Sequence, residues 1–198
     1  MLLIRHGESE GNARGIFQGH AEYPLSERGH AEARTVAARL AREESTVSAL
    51  FTSPLGRAHQ TAQAIATSGG NGIQLDDRLK EIDIGEGAGL TPAEIRERFP
   101  LWGRPGEPRG LLRGQESNAD FSARILDVVS DLLKMEGTVI AVSHGGFISN
   151  LCRQVVGAGS EQLRLFRVRN CSVTEVLAGR RDGMVLNRFN DGNHLHGI

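Results

Sequence analysis

The chain is 198 residues long, 39% hydrophobic and nearly neutral, with 23 basic against 24 acidic side chains for a formal net charge of −1. That length suffices for one α/β domain with a substantial core, and the balanced charge excludes the basic surface that a nucleic-acid partner or an anionic membrane would select. Cys152 and Cys171 make no disulfide framework and no Cys-x-x-Cys motif, and read as small packing residues. With no leader-like start and no stretch near the roughly 20 apolar residues of a membrane span, a cytoplasmic protein is expected.

In chain order, Leu2 to Ile4 read as a short buried strand that passes abruptly into Arg5-His6-Gly7. Ala13 to Pro24 is a polar loop. Ser26 caps a helix whose apolar positions are Ala33, Val36, Ala37 and Leu40. Ser48 to Thr52 is a second strand. Ser53 is then the candidate cap and Pro54 the first-turn proline of a helix with Leu55, Ala58, Ala62 and Ile65 on its apolar face. Arg57 falls in that first turn, where unpaired N–H groups and the helix dipole favour an anion.

Asn71 to Leu79 reads as a turn and a short extended segment, and Glu81 to Leu90 as a glycine-rich loop. Thr91-Pro92-Ala93-Glu94 has the pattern of a capping box and predicts a short helix to about Phe99. Residues 100–116, with three prolines and four glycines, read as a mobile, lid-like excursion. Ser117 caps a long helix presenting Phe121, Ile125, Val128, Val129 and Leu132, with Gly137 suited to its end. Val139 to Ser143 is the continuous apolar run of a strand buried on both faces, and Gly145 to Val156 a helix stopped by Gly157. Residues 157–170 form a polar connection with Arg164, Arg167 and Arg169 near its end. Cys171 to Ala178 and Met184 to Phe189 read as a hairpin of edge strands. The alternation of strands and helices predicts a single domain over 1–198, a three-layer α/β/α sandwich with a mainly parallel central sheet.

A histidine after a strand is, taken alone, commonly a packing residue. Here the pattern occurs twice, at Ile4-Arg5-His6-Gly7 and at Val142-Ser143-His144-Gly145-Gly146. Two parallel strands ending this way set two imidazoles on one sheet edge, where open α/β sheets bind ligands. His194 and His196 read as solvent-exposed, and His20, His30 and His59 have no metal-ligand spacing. The chain has no Gly-x-x-x-x-Gly-Lys loop and no Gly-x-Ser-x-Gly elbow.

Four blocks in fixed order, Arg5-His6-Gly7, Ser53 to Ala62, Leu79 to Gly85 and Ser143 to Gly146, resemble the histidine phosphatase superfamily with its phosphoglycerate-mutase-like fold, across most of the chain. Arg-His-Gly alone is a weak signal; four ordered blocks are specific. The resemblance implies that His6 is a nucleophile forming a phosphohistidine, that Arg5, Arg57 and His144 surround the phosphate, and that Ser9, Asn12 and the Gly145 amide add neutral hydrogen bonds. Gln18 and Gly19 match a substrate-facing segment. Glu81 matches the acid that protonates the leaving alkoxide and then activates water, with Asp83 a poorer match two residues on. The family chemistry uses no metal and no organic cofactor; the implied partner is a small-molecule phosphate ester, and a homodimer is left open.

Mutases of this kind typically carry an Arg just after the acid and a Lys about ten residues later, together with a longer lid. Ile82 and Pro92 stand at those two places, so hydrolysis of small phosphomonoesters is favoured, a phosphoglycerate mutase comes second, and a non-catalytic phospho-ligand binder, which would need neither nucleophile nor acid, comes third. Gly87 and Ala88 replace an aromatic and a Glu common in the small phosphatases, which predicts a widened pocket. Arg104, Arg109 and Arg113, with Phe99 and Trp102, would lie at the rim, as a solvated basic loop or as partners for a second anionic group on the substrate.

Overall fold

The computed structural model describes residues 1–44, 46–69, 72–102, 112–158, 165–180 and 183–198. Six strands, β1 (Leu2–Arg5), β2 (Val47–Thr52), β3 (Ile73–Leu75), β4 (Thr138–Ser143), β5 (Val173–Ala178) and β6 (Met184–Asp191), form one sheet in the order β3-β2-β4-β1-β5-β6. The first four are mutually parallel, and β5 and β6 add on antiparallel to β1 and to each other.

Side-chain alternation along β1 and β4 builds two cores. Leu2, Ile4, Ile140 and Val142 face α2 (Glu27–Glu43) and α3 (Gly56–Gly69), through Val36, Leu40, Ala58 and Ala62. Leu3, Val139 and Ala141 face α5 (Asn118–Leu133) and α6 (Gly145–Val155), through Ile125, Val129, Phe147 and Leu151. Each fully buried aliphatic side chain contributes roughly 1.5–3 kcal/mol. The result is a three-layer sandwich. β1 and β4 are parallel neighbours whose following helices leave to opposite faces, which opens a crevice at their carboxyl ends.

Caps at Ser26, Thr91 and Ser117 accept from the N–H groups of Gly29, Glu94 and Asp120, and Thr91 and Glu94 close a reciprocal capping box at the start of α4 (Pro92–Arg98). Three sequence readings are corrected. The polar loop read at Ala13 to Pro24 loses its first residue to a short helix, α1 (Glu10–Ala13), capped by Ser9 and Asn12. Helix α3 starts at Gly56, two residues past the proline, although the Ser53 hydroxyl accepts from the Leu55 N–H at 3.3 Å. β5 is an interior strand clasped by β1, and only β6 lies at the edge.

His194 is half-buried rather than exposed: Arg39 Nη1 donates to its Nδ1 at 3.0 Å and its Nε2 donates to the Cys171 carbonyl at 2.9 Å. Cys152 and Cys171 are free, buried thiols, the first pushed up to about 12 by burial, as expected of packing residues. No helix among the described residues is long and apolar enough to cross a membrane. Of the excursion at 100–116, residues 103–111, with Arg104 and Arg109, lie outside the described residues, as does Arg164.

Candidate active site

Register alone brings the two imidazoles together. Arg5 pairs with Ser143 across β1 and β4, so the next residues, His6 and His144, are neighbours, and their ring centroids lie 5.1 Å apart. The His6 N–H donates to the Ser143 carbonyl, and the Ser53 N–H at the end of β2 donates to Val142, which draws a third strand end into the site. The rings of His6 and His144 are almost wholly buried.

His6 Nδ1 lies 2.6 Å from the Gly7 carbonyl oxygen, which can only accept, so Nδ1 carries the proton and Nε2 is bare. Burial, and then the charges of Arg5 and Arg57, push the His6 pKa well below its ordinary value near 6.5. The imidazole is therefore neutral at neutral pH. His144 is shifted the same way, by burial first and Arg57 next. Its Nε2 is 2.8 Å from Ser53 Oγ, and a serine proton donated there leaves Nδ1–H as the ring's free donor.

Arg57 is anchored at one end only: Nη1 donates to the Ala21 carbonyl at 3.0 Å and Nη2 to Gly19 at 2.8 Å. Arg5 Nη1 likewise donates to the Val168 carbonyl at 2.6 Å. Among the described residues, the buried side-chain nitrogens and oxygens lacking any partner are Arg5 Nε, Arg57 Nε and His144 Nδ1. Buried polar groups are ordinarily satisfied. Three orphans around one imidazole pair describe a cradle for an anion.

Glu81 reaches this cradle from the loop after Leu79. Its carboxylate accepts from the Gly146 N–H at 2.8 Å, in the first turn of α6, and from its own neighbour Ile82 at 2.9 Å. A Cβ at position 146 would collide with that carboxylate, and one at Gly145 would lie 3.1 Å from Arg5 Nε, so the two glycines are what lets acid and guanidinium approach the helix end.

The remaining residues named from sequence form a supporting layer. Ser9 is fully buried; its hydroxyl donates to Gln18 Oε1 at 2.8 Å and accepts from the Asn12 N–H. Asn12 Oδ1 accepts from the Ser9 N–H and from Asn170 Nδ2, leaving the Asn12 amide N–H groups as its donors. Gly19 contributes the carbonyl that holds Arg57. The pocket is not widened at Gly87: the space a side chain would take there is filled by Leu112 and Ile95. The ends of the excursion meet beside Phe17, where Trp102 Nε1 donates to Gln115 at 3.0 Å and its ring packs edge-on against Phe17 at 6.0 Å. Arg113 is exposed, with its backbone paired to Glu86. A cleft of about 530 Å³ flanks Arg5, lined by Arg28, Glu32, Arg167, Arg169 and Asn170.

Several contributors were not singled out from sequence. Ser53 orients His144. Thr61 Oγ1 accepts from the Gly7 N–H and donates to the Arg57 carbonyl, coupling the nucleophile's turn to α3. Asn170 donates to the His6 carbonyl at 2.9 Å. Among the described residues there is no group of three or more His, Cys, Asp or Glu arranged to hold a metal ion; the positive charge of the site is that of its arginines.

The chain is 35% identical over 181 residues to a probable phosphoglycerate mutase GpmB of Enterobacter sp. (strain 638), covering 89% of this chain and 83% of the relative. Among solved structures, Bacillus stearothermophilus YhfR superposes with a TM-score of 0.87 at 28% identity, covering 98% of both chains. A phosphoserine phosphatase from Entamoeba histolytica, in complex with 3-phosphoglyceric acid, superposes with a TM-score of 0.82 at 31% identity, again covering 98% of both. The model of the histidine phosphatase superfamily (branch 1) matches residues 1–192, and the chain belongs to that superfamily of phosphoryl-transfer enzymes.

Proposed function

We propose that this protein is a phosphatase that hydrolyses small phosphomonoesters without a metal, through a phosphohistidine on His6. The observation that carries this reading is the set of orphaned donors, Arg5 Nε, Arg57 Nε and His144 Nδ1, around an imidazole whose Nε2 is unprotonated. Nε2 attacks phosphorus in line with the ester oxygen, the P–O bond to the alcohol breaks, and the Glu81 carboxyl gives its proton to the departing alkoxide. The three donors hold the equatorial oxygens as charge spreads over them. Water then attacks the phosphohistidine, Glu81 takes the water's proton, and inorganic phosphate leaves with His6 restored. Two unpaired cysteines fit a reducing compartment, the cytoplasm.

The relatives named as probable phosphoglycerate mutases favour a second reading, in which the phosphoryl group returns to another hydroxyl of the same substrate. Ile82 and Pro92, standing where mutases carry cations, argue for hydrolysis. The deciding test is phosphate release from a panel of phosphomonoesters with a chelator present, for the natural protein and His6→Ala. The expected result is turnover that survives chelation and is lost in the variant. Isomerisation of a phosphoglycerate without phosphate release would move the assignment to a mutase.

A further inference from the structure

Glu81 lies in a segment with no regular secondary structure, yet its work demands placement to a fraction of an ångström. What fixes it is a side chain from helix α5, which packs beside this segment and shares a core with Leu79. Arg124, in the second turn of α5, donates from Nη1 to the carbonyls of Arg78 at 2.8 Å and Lys80 at 2.9 Å, and from Nη2 to the carbonyl of Glu81 itself at 3.3 Å. Its Nε and Nη2 also make a two-pronged pair with Glu116, at 2.9 and 2.7 Å. Glu116 in turn accepts from the Asp83 N–H at 3.3 Å, while its own N–H donates to the Asp83 carbonyl at 2.9 Å. The backbone is thus held on both sides of position 81.

The guanidinium lies over the Phe121 ring at 4.9 Å, and Phe121 packs edge-on against Phe147 of α6, the helix whose first turn receives the Glu81 carboxylate. His20 Nε2 completes the grip on the Glu81 carbonyl at 2.8 Å. The Arg124 guanidinium thus directs five N–H donors to three carbonyls and a carboxylate, which suits the planar fork of arginine and not the point charge of lysine.

We infer that Arg124, braced by Glu116, is the positioning residue for the Glu81 acid. The inference rests on the reading of Glu81 as the group that protonates the leaving oxygen. An acid is needed in proportion to the basicity of the alkoxide it protonates, so a misplaced Glu81 penalises poor leaving groups and spares good ones. The value of kcat/KM reports steps up to departure of the alcohol, and therefore isolates this role from the later activation of water.

The experiment compares kcat/KM for phenyl phosphate and dinitrophenyl phosphate in the natural protein, Arg124→Lys, Glu116→Gln and Glu81→Gln. Glu81→Gln sets the scale of the leaving-group dependence. Arg124→Lys is expected to lose on the order of ten-fold on phenyl phosphate and less than about three-fold on dinitrophenyl phosphate, with Glu116→Gln following in the same direction. Turnover of the activated ester shows that each variant is folded; if Arg124→Lys does not fold, Glu116→Gln carries the comparison. Equal losses on both esters, or none, alongside a steep dependence in Glu81→Gln, would overturn the positioning role and leave the acid intact. A flat dependence in Glu81→Gln itself would overturn both.

Discussion

His6 is useful only while its Nε2 is bare, and three surroundings keep it so: burial, the two nearby guanidiniums, and the Gly7 carbonyl that claims the proton at Nδ1. Burial and the cations depress the imidazole pKa, so the acid limb of the kcat/KM profile is expected below pH 6.5. Replacing Arg57 with Gln removes one of those cations. The His6 pKa then rises, and the acid limb moves to higher pH while turnover falls; a pH–rate profile in which the limb stays put or moves down contradicts this account. Residues of this kind were readable from sequence because their signature is local: a strand, a histidine and a glycine, met twice, together with the ordered blocks around Arg57 and Glu81. Ser53 and Thr61 fall inside one of those blocks with nothing local to mark their contacts, and Asn170 and Arg124 lie outside all four. Ser53 meets His144 across 91 positions and Asn170 meets His6 across 164, and both contacts are created by strand order, which a single sequence does not state.

Helix α6 is the element on which acid and phosphate cradle meet. Its first turn supplies the Gly146 N–H to Glu81, and the absence of a side chain there is what admits the carboxylate. Gly146→Ala therefore separates function from stability. Alanine is favoured over glycine within a helix by up to about 1 kcal/mol, so urea denaturation should place the variant within about 1 kcal/mol of the natural protein, while kcat/KM falls on the order of ten-fold as Glu81 is displaced. Unchanged kcat/KM would show that Glu81 acts from another position. At this scale the sequence was most informative where one residue does one task. Ser26, Thr91 and Ser117 cap helices as their spacing implied, and the alternation in β1 and β4 sorted side chains to the two cores. It was least informative where a residue has two possible tasks. Ser53 has the look of a cap, and its hydroxyl does accept from the Leu55 N–H at 3.3 Å, but it also lies 2.8 Å from His144 Nε2, a second task that its sequence context does not announce. The strand from Val173 looked like half of a solvent-edge hairpin; that β1 covers its other side follows only from the non-local pairing of Ile4 with Val173.

On the scale of the whole molecule, a chain with a net charge of −1 concentrates two cations and two neutral histidines at one sheet edge. The proposed mechanism requires those imidazoles to be uncharged and out of water, and that requirement links the site to global stability. In the unfolded chain a histidine takes up a proton near pH 6.5, whereas folded His6 and His144 hold off protonation to well below it. Below pH 6.5 the unfolded state therefore binds more protons, and stability falls as pH falls, by about 1.4 kcal/mol per pH unit for each such group until the folded pKa is reached. Between pH 7.5 and 5.5 the pair is therefore expected to cost stability. His194, shifted down by burial and by the charge of Arg39 against the opposing hydrogen bond to the Cys171 carbonyl, adds to the same slope. His144→Gln keeps a polar group beside Ser53 but cannot titrate, so its loss of stability between the two pH values should be smaller than that of the natural protein. Urea denaturation of both proteins at the two pH values measures this directly. Parallel losses would mean that His144 is already protonated in the folded state at pH 5.5, and the site would then be an imidazolium cradle rather than a neutral one.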